Sequence, residues 1–362
     1  METEFVFKSE VPNDVLDIYA APDVRAKKIK TENINEFRIE LEGNSIDNSV
    51  VNALRRTCDM SIPIYAFHRS NIFIELEKSK HMYNNDLIYN QIETLPIFDI
   101  PNYFDLENPE IFLSNNVLKN LFGNFVQERY EEGGIEESKE QTDDNKKIFK
   151  IELSINTKNN SDIYKFVSTH DAVLKVNGQI SNSYKIRKPI SILVLKPSEE
   201  ISLRAEANLG ISKINGIYEA TTNVVLEEIT PMKYQLWFET LEQLEKGVIF
   251  SKACIILEKK LENLKRYIIK KYQNETDFID TVEIQLFGED HTLGNLIATT
   301  LQKCDFIEKA GYNMPHPFID QIVIVYKTKH KSKVKPLNAL IDTIDYLMKL
   351  FQTIAHVSQK SK

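Results

Sequence analysis

Cysteine is scarce: the chain has three, Cys58, Cys254 and Cys304, too far apart for a CxxC knuckle or a recognisable zinc spacing. Buried thiols in a reducing compartment are expected, with no structural metal. Basic charge is also in deficit. Lys and Arg number 45 against 53 Asp and Glu, a net charge of -8, so no general positive field grips phosphates and protein partners are favoured over nucleic acid. No apolar run approaches the roughly 20 residues that a bilayer span requires. The opening METEFVFKSE lacks the basic n-region of a signal peptide, so the chain reads as intracellular and free of the membrane. Catalytic signatures are missing as well: there is no P-loop, nucleophile elbow, DxD-like carboxylate trio or metal-spaced His/Cys cluster, which points to a chain without cofactor or reaction of its own. What remains is 42% hydrophobic and 27% charged over 362 residues, enough for two or three domains with proper cores.

The most informative feature is internal. FRIELEG alternates Phe37, Ile39 and Leu41 against Arg38, Glu40 and Glu42 and stops at Gly43, a half-buried strand. Ser49 then stands where it can cap a helix with Val50, Val51, Leu54 and Cys58 at helical spacing, closed by Pro63. A second alternating strand, NIFIELE, follows at residues 71–77. The pattern recurs from residue 281. TVEIQLFG alternates Val282, Ile284 and Leu286; Thr292 stands as an N-cap before the stripe Leu293, Leu296, Ile297, Leu301 and Cys304; and Ile322, Ile324 and Tyr326 mark another strand.

Each half closes on a long amphipathic helix. One runs from about Gly247 to Lys271, the other opens at Pro336 and continues through Leu340, Ile344, Leu347, Phe351 and Ile354. A helix on a small sheet that is bare on one side needs a second copy to cover it. Two β-α-β units arising by chance is the alternative. The strings inside the capped helices separate these readings: SVVNALRR at 49–56 and HTLGNLIATTL at 291–301 align with Asn52 on Asn295, Ser49 on Thr292 and Leu54 on Ile297.

NALRR resembles the alpha subunit of bacterial RNA polymerase and its archaeal and eukaryotic counterparts, including the third-largest subunit of RNA polymerase II. GEDHTLGNLIATTL with the following AGYNMPHPFIDQIVIVYKT is similar to the small eleventh subunit that pairs with that one. Both on one polypeptide resemble the fused subunit of large cytoplasmic DNA viruses of the African swine fever type. The segments 82–97, 204–225 and 234–261 resemble, in turn, the exit to an inserted domain, the return from it, and the final strand and long helix of the alpha type; Asn215 and Gly216 depart from the His and small residue common there.

The resemblance implies an α+β fold: two alpha-subunit-like dimerisation modules paired by an intramolecular pseudo-two-fold, with a mixed α/β domain inserted in the first. The expected division is an N-terminal extension at 1–25, a first module from 26–82 and 204–272, an insert at 83–203 carrying a mobile acidic loop at 128–147, and a second module at 273–362. It further implies a non-catalytic platform for the largest and second-largest subunits of a DNA-directed RNA polymerase, alongside small polymerase subunits. DNA would be met only through the complex, no homo-oligomer is expected, and the chain would work in the host cytoplasm and the virion. Carried over residue by residue, Asn52, Leu54, Arg55 and Arg56 face a large subunit, the arginines being otherwise solvated. Val50, Leu54, Thr292, Leu293, Gly294, Asn295, Leu296 and Ile297 form the seam between modules, with Gly294 allowing close helix-helix approach or else standing as a tolerated helix glycine. His291 is a capping and packing residue and the basic run 327–335 a solvated turn, with nucleic-acid contact as its other reading. A stand-alone nucleic-acid-binding regulator on the same fold is the competing function.

Overall fold

The computed structural model describes residues 16–77, 84–100, 115–122, 150–272, 281–316, 321–329 and 334–360. The acidic stretch 128–147, residues 1–15 of the N-terminal extension and residues 330–333 of the basic run lie outside the described residues. In chain order the elements are β1 (Arg25–Lys28), β2 (Glu36–Glu42), α1 (Asn48–Met60), β3 (Ile64–Glu77), α2 (Asn85–Glu93) and α3 (Asn115–Phe122). Then follow β4 (Ile151–Lys158), β5 (Lys165–Ser168), β6 (Ala172–Val176), β7 (Gln179–Ser181), β8 (Ser191–Leu195), β9 (Glu200–Gly210), β10 (Thr221–Thr230), β11 (Lys233–Thr240) and α4 (Lys246–Tyr272). The chain continues through β12 (Thr281–Phe287), α5 (His291–Lys303), β13 (Ile307–Asn313), β14 (Gln321–Thr328) and α6 (Pro336–Lys360). The result is a mixed α/β architecture with four antiparallel sheets, ordered β1-β2-β11-β10, β12-β14-β13, β3-β9-β4-β6-β7 and β5-β8.

Period-two patterning explains the first two sheets. Phe37, Ile39 and Leu41 of β2 point inward, and Phe37 stacks on Phe238 of β11 at 5.1 Å and reaches Phe250 of α4 at 5.4 Å. The outward face is polar: Lys233 pairs with Glu40 at 2.8 Å, and the Arg38 guanidinium lies over the Trp237 ring at 5.2 Å. In the other sheet Val282, Ile284 and Leu286 of β12 are fully buried against β14. The strand preceding each capped helix thus neighbours the strand that leads into each long helix, β2 beside β11 and β12 beside β14.

One expected equivalence fails. The strand following α1 does not join β2; β3 pairs with β9, from Ile64 opposite Gly210 to Glu77 opposite Ile201, and heads a separate five-stranded sheet. The strand beside β2 is instead β11, which follows β10 much later in the chain. Alternation marks a half-buried strand and carries no information about which sheet receives it. Two buried clusters result. One holds Tyr65, Phe67, Leu153, Leu203 and Ala205 with α2, and the other runs unbroken from Phe37 and Leu54 through Leu264 to Leu296, Ile324 and Phe351. They meet along β3 and β9, and the five-stranded sheet takes in strands from residue 64 to residue 210.

The long helices α4 and α6 lie against each other. Lys265 reaches Asp345 at 2.6 Å while Glu258 accepts from Gln352 at 2.7 Å, so position rises on one helix as it falls on the other and the two are antiparallel. Ile256, Leu261, Leu264 and Ile268 of α4 are buried against this pairing, with Ile344, Leu347, Phe351 and Ile354 of α6. Near the N-terminus, Leu16 N donates to Lys303 O at 2.9 Å, Tyr19 Oη donates to Asp342 at 2.9 Å and Ile18 is buried, so residues 16–19 lie on the second half of the chain.

Candidate functional site

The capped helices α1 and α5 pack against each other, and each begins two residues earlier than its hydroxyl suggested. Asp47 caps α1, its Oδ1 accepting from Val50 N at 3.0 Å and from Ser49 Oγ at 2.6 Å. Asp290 caps α5, its Oδ1 accepting from Thr292 N at 2.9 Å. Ser49 and Thr292 are thus inside the first turn, because a carboxylate is the stronger acceptor for orphan N–H groups at the positive end of a helix. Both aspartates stand five places before the aligned Asn52 and Asn295.

Each cap is also tied to the opposite helix. Lys303, at the end of α5, lies 2.5 Å from Asp47 Oδ2, both side chains 17% exposed. In the reverse direction Arg56 Nε donates to Thr292 Oγ1 at 2.7 Å, and its guanidinium lies 3.6 Å from Asp290 Oδ2, which Lys213 approaches at 3.4 Å. Below this, Lys260 of α4 sits 2.7 Å from Oε2 of the fully buried Glu289, whose Oε1 has no hydrogen-bond partner among the described residues. Burial on its own would raise the pKa of Asp290, yet Lys260, Lys213 and the Thr292 donors outweigh it and hold the group far below the usual carboxylate range. At Glu289 burial prevails over Lys260 and the pKa rises.

These opposite shifts set a pH dependence. A depressed carboxylate contributes stability that is complete above its unfolded pKa, about 3.8 for Asp290, and is lost as pH falls through the lower folded value. The raised Glu289 acts in reverse, disfavouring the folded state once pH exceeds its unfolded value of 4.5. Asp290→Asn keeps a capping oxygen and removes the charge. Thermal melts from pH 7 to pH 2 are expected to show the variant below wild type at pH 7, with a shallower acid limb, so that the curves converge under pH 4; parallel curves would contradict this.

The residues singled out in the sequence divide as follows. Val50, Leu54, Leu293, Leu296 and Ile297 are buried in the common core, and Asn52 and Asn295 are half-buried. Leu54 has no exposed surface, so its place is the core and not an outer face. Arg56 is committed to α5, whereas half-buried Arg55 stays on its own helix, donating to Asn52 Oδ1 at 3.0 Å. Nearest to Gly294 is a ring and not a helix: a Cβ there would lie 2.5 Å from Cδ2 of Tyr312, on β13. His291 is exposed, leaves the capping to Asp290, and packs edge-on against the same Tyr312 ring, with Nδ1 3.2 Å from its hydroxyl. Asp47, Lys260, Glu289, Lys303 and Tyr312 were not foreseen. Two of them carried a signal: Asp47 precedes a helical pattern, and Lys260 interrupts an apolar stripe between Leu257 and Leu264.

Chemically the seam binds helices together. A cavity of about 30 Å³ between Arg56, Asn120, Lys213, Lys260 and Asp290 has room for a water molecule and none for an organic substrate. Burial lifts all three thiols above their ordinary pKa, Cys304 to about 11, so they are not thiolate nucleophiles at neutral pH. No described helix is long and apolar enough to cross a membrane.

Two long helices pair antiparallel beside the two capped ones, and comparison with known proteins names the class as a dimerisation fold. Residues 281–356 match the family described as the RNA polymerase Rpb3/Rpb11 dimerisation domain. The chain is 51% identical over 353 residues, covering 98% of itself and 99% of the relative, to a protein of Acanthamoeba polyphaga mimivirus provisionally named DNA directed RNA polymerase subunit R470. It is 39% identical over 77 residues, 21% of this chain and 78% of the relative, to the DNA-directed RNA polymerase subunit Rpo11 of Saccharolobus shibatae. The chain belongs to the family of DNA-directed RNA polymerase subunits with the Rpb3/Rpb11-type fold, in the fused alpha-like form of a large DNA virus.

Proposed function

We propose that this chain is the platform of a viral DNA-directed RNA polymerase: a subunit, not catalytic by itself, on which the largest and second-largest subunits assemble together with small ones. The reciprocal seam carries the reading, because each cap carboxylate is matched by a cation on the other helix, as expected if two like modules meet about a pseudo-two-fold axis. Residues 26–63 with 211–272 form the first module in this reading, 64–210 the insert, 273–362 the second module, and 1–25 an extension. Fusion turns dimerisation into an intramolecular step, with an effective concentration that reaches the mM range for a short linker, and makes the stoichiometry one to one. DNA is met through the complex, in keeping with a net charge of -8, and the site of action is the host cytoplasm and the virion.

Purification of the tagged chain from its source is expected to recover both large polymerase subunits in equal amounts, by mass spectrometry and densitometry. Recovery of nucleic acid without polymerase subunits would overturn the reading. Arg55, bonded only along its own helix, is the residue of the NALRR string left to meet the second-largest subunit. Arg55→Ala is expected to keep the wild-type melting temperature and weaken that association by about 2 kcal/mol, roughly 30-fold; unchanged recovery would remove Arg55 from the interface.

A further inference from the structure

We infer that the buried Lys260–Glu289 pair selects which unit may occupy the seam, favouring first unit against second over either unit against another copy of itself. The inference rests on the paired-module reading and adds a specificity-determining role to it. Lys260 belongs to α4 of the first unit, and Glu289 stands immediately before the Asp290 cap in the second. Their side chains are 12% and 0% exposed. The equivalent position in the first unit, immediately before the Asp47 cap, is Ile46, itself buried.

Consider each wrong pairing. If first units of two copies met, Ile46 would take the place of Glu289 and Lys260 would lose the carboxylate 2.7 Å from it. If second units met, Glu289 would be sealed against α6, which has no arginine and whose two lysines, Lys349 and Lys360, are exposed. Either leaves a buried charge without its counter-charge, which is strongly disfavoured, whereas the native arrangement neutralises both. The cap bridges draw no such distinction, since each helix turns a cation to the opposite cap, Arg56 from α1 and Lys303 from α5. A buried polar group that fixes partner and register at some cost in stability is a known device at helix interfaces.

The test uses the full chain, unfolded in denaturant and refolded at increasing protein concentration, with mass read by light scattering after gel filtration. Wild type is expected to return as monomer throughout. The apolar replacement K260M/E289L is expected to melt near or above wild type, yet to return as a mixture in which the oligomer fraction grows with concentration. The reversed pair K260E/E289K, which restores opposite charges, is expected to return as monomer, and it keeps the test open if the apolar variant does not fold. Monomeric refolding of K260M/E289L to the wild-type extent, or oligomers from K260E/E289K, would overturn the selective role. Melting temperatures of K260M and E289L alone examine the pairing itself. A double variant better than the sum of the singles supports contact across the seam, and strict additivity would count against the paired modules and not merely their selectivity.

Discussion

Gly294→Leu is expected to lower the melting temperature of the chain sharply, and Gly294→Ala to lower it as well, although alanine favours a helix interior over glycine by about 1 kcal/mol. The reason is the Tyr312 ring, whose Cδ2 lies 2.5 Å from where a Cβ would stand and whose Cε2 and Cγ lie at 3.0 Å. These atoms are near the base of a ring held by His291 and the edge of β13, so the clash is relieved only by moving the ring or the helix. Overpacking of this kind costs about 1–3 kcal/mol, more for leucine than for alanine. The decisive comparison is in a Tyr312→Ala background. There the space is open, and Gly294→Ala should raise the melting temperature, because only the helix propensity remains. A substitution that destabilises the wild type and stabilises the variant identifies the ring as the cause. Destabilisation in both backgrounds would mean that the glycine serves another neighbour.

That glycine also illustrates where the sequence was legible and where it was not. HTLGNLIATTL announced a helix with a small residue on its buried side, and the helix is there, but periodicity cannot say whether a strand or a helix comes close. The alternation of Phe37, Ile39 and Leu41, or of Val282, Ile284 and Leu286, was enough to orient two strands, since a half-buried strand exposes its period directly. β3 was equally clear as a strand, but which strand it would pair with was not legible, because its partner β9 is more than a hundred residues away in sequence. The caps were displaced for a different reason. Ser49 and Thr292 are good capping residues, and the aspartates two places earlier are better acceptors, so the competition was decided within one turn.

Charges were the least legible. A lysine within a long amphipathic helix normally reads as solvated, and although Lys260 interrupts the apolar stripe between Leu257 and Leu264, nothing local names its partner Glu289, which lies beyond a connecting segment. The same holds for Lys303, an ordinary C-terminal helix cation until the fold brings Asp47 to it. Arg56 was read toward an outside partner because the family resemblance pointed outward, and within the chain its guanidinium meets the cap of α5. Arg55, held by Asn52 on the same helix, keeps a position consistent with that outward role.

Leu54→Ala and Leu153→Ala, one from each buried cluster, are expected to separate the molecule into its two cooperative parts. Both side chains are fully buried, and truncating a leucine in such a site costs about 2–5 kcal/mol through lost transfer energy and the cavity left behind. The location of the damage should differ. Leu54 belongs to the cluster that runs without interruption to Leu296, Leu347 and Phe351, so its loss loosens α1 and α6 together although they are far apart in the chain. Leu153 belongs to the cluster of the insert with Phe67, Leu174 and Leu203, and its loss should open that sheet while leaving α6 protected. Hydrogen exchange followed by fragment analysis reads this directly. In Leu54→Ala the amides of α1, α4, α5 and α6 are expected to exchange faster as a group, and in Leu153→Ala those of β4, β6 and β9. If Leu54→Ala raised exchange in α1 and left α5 and α6 unchanged, the halves would be separate bodies in contact rather than one core, and fusion would add proximity without cooperativity. Joint exchange means that the seam is folded or lost as a whole, as the proposed platform role requires.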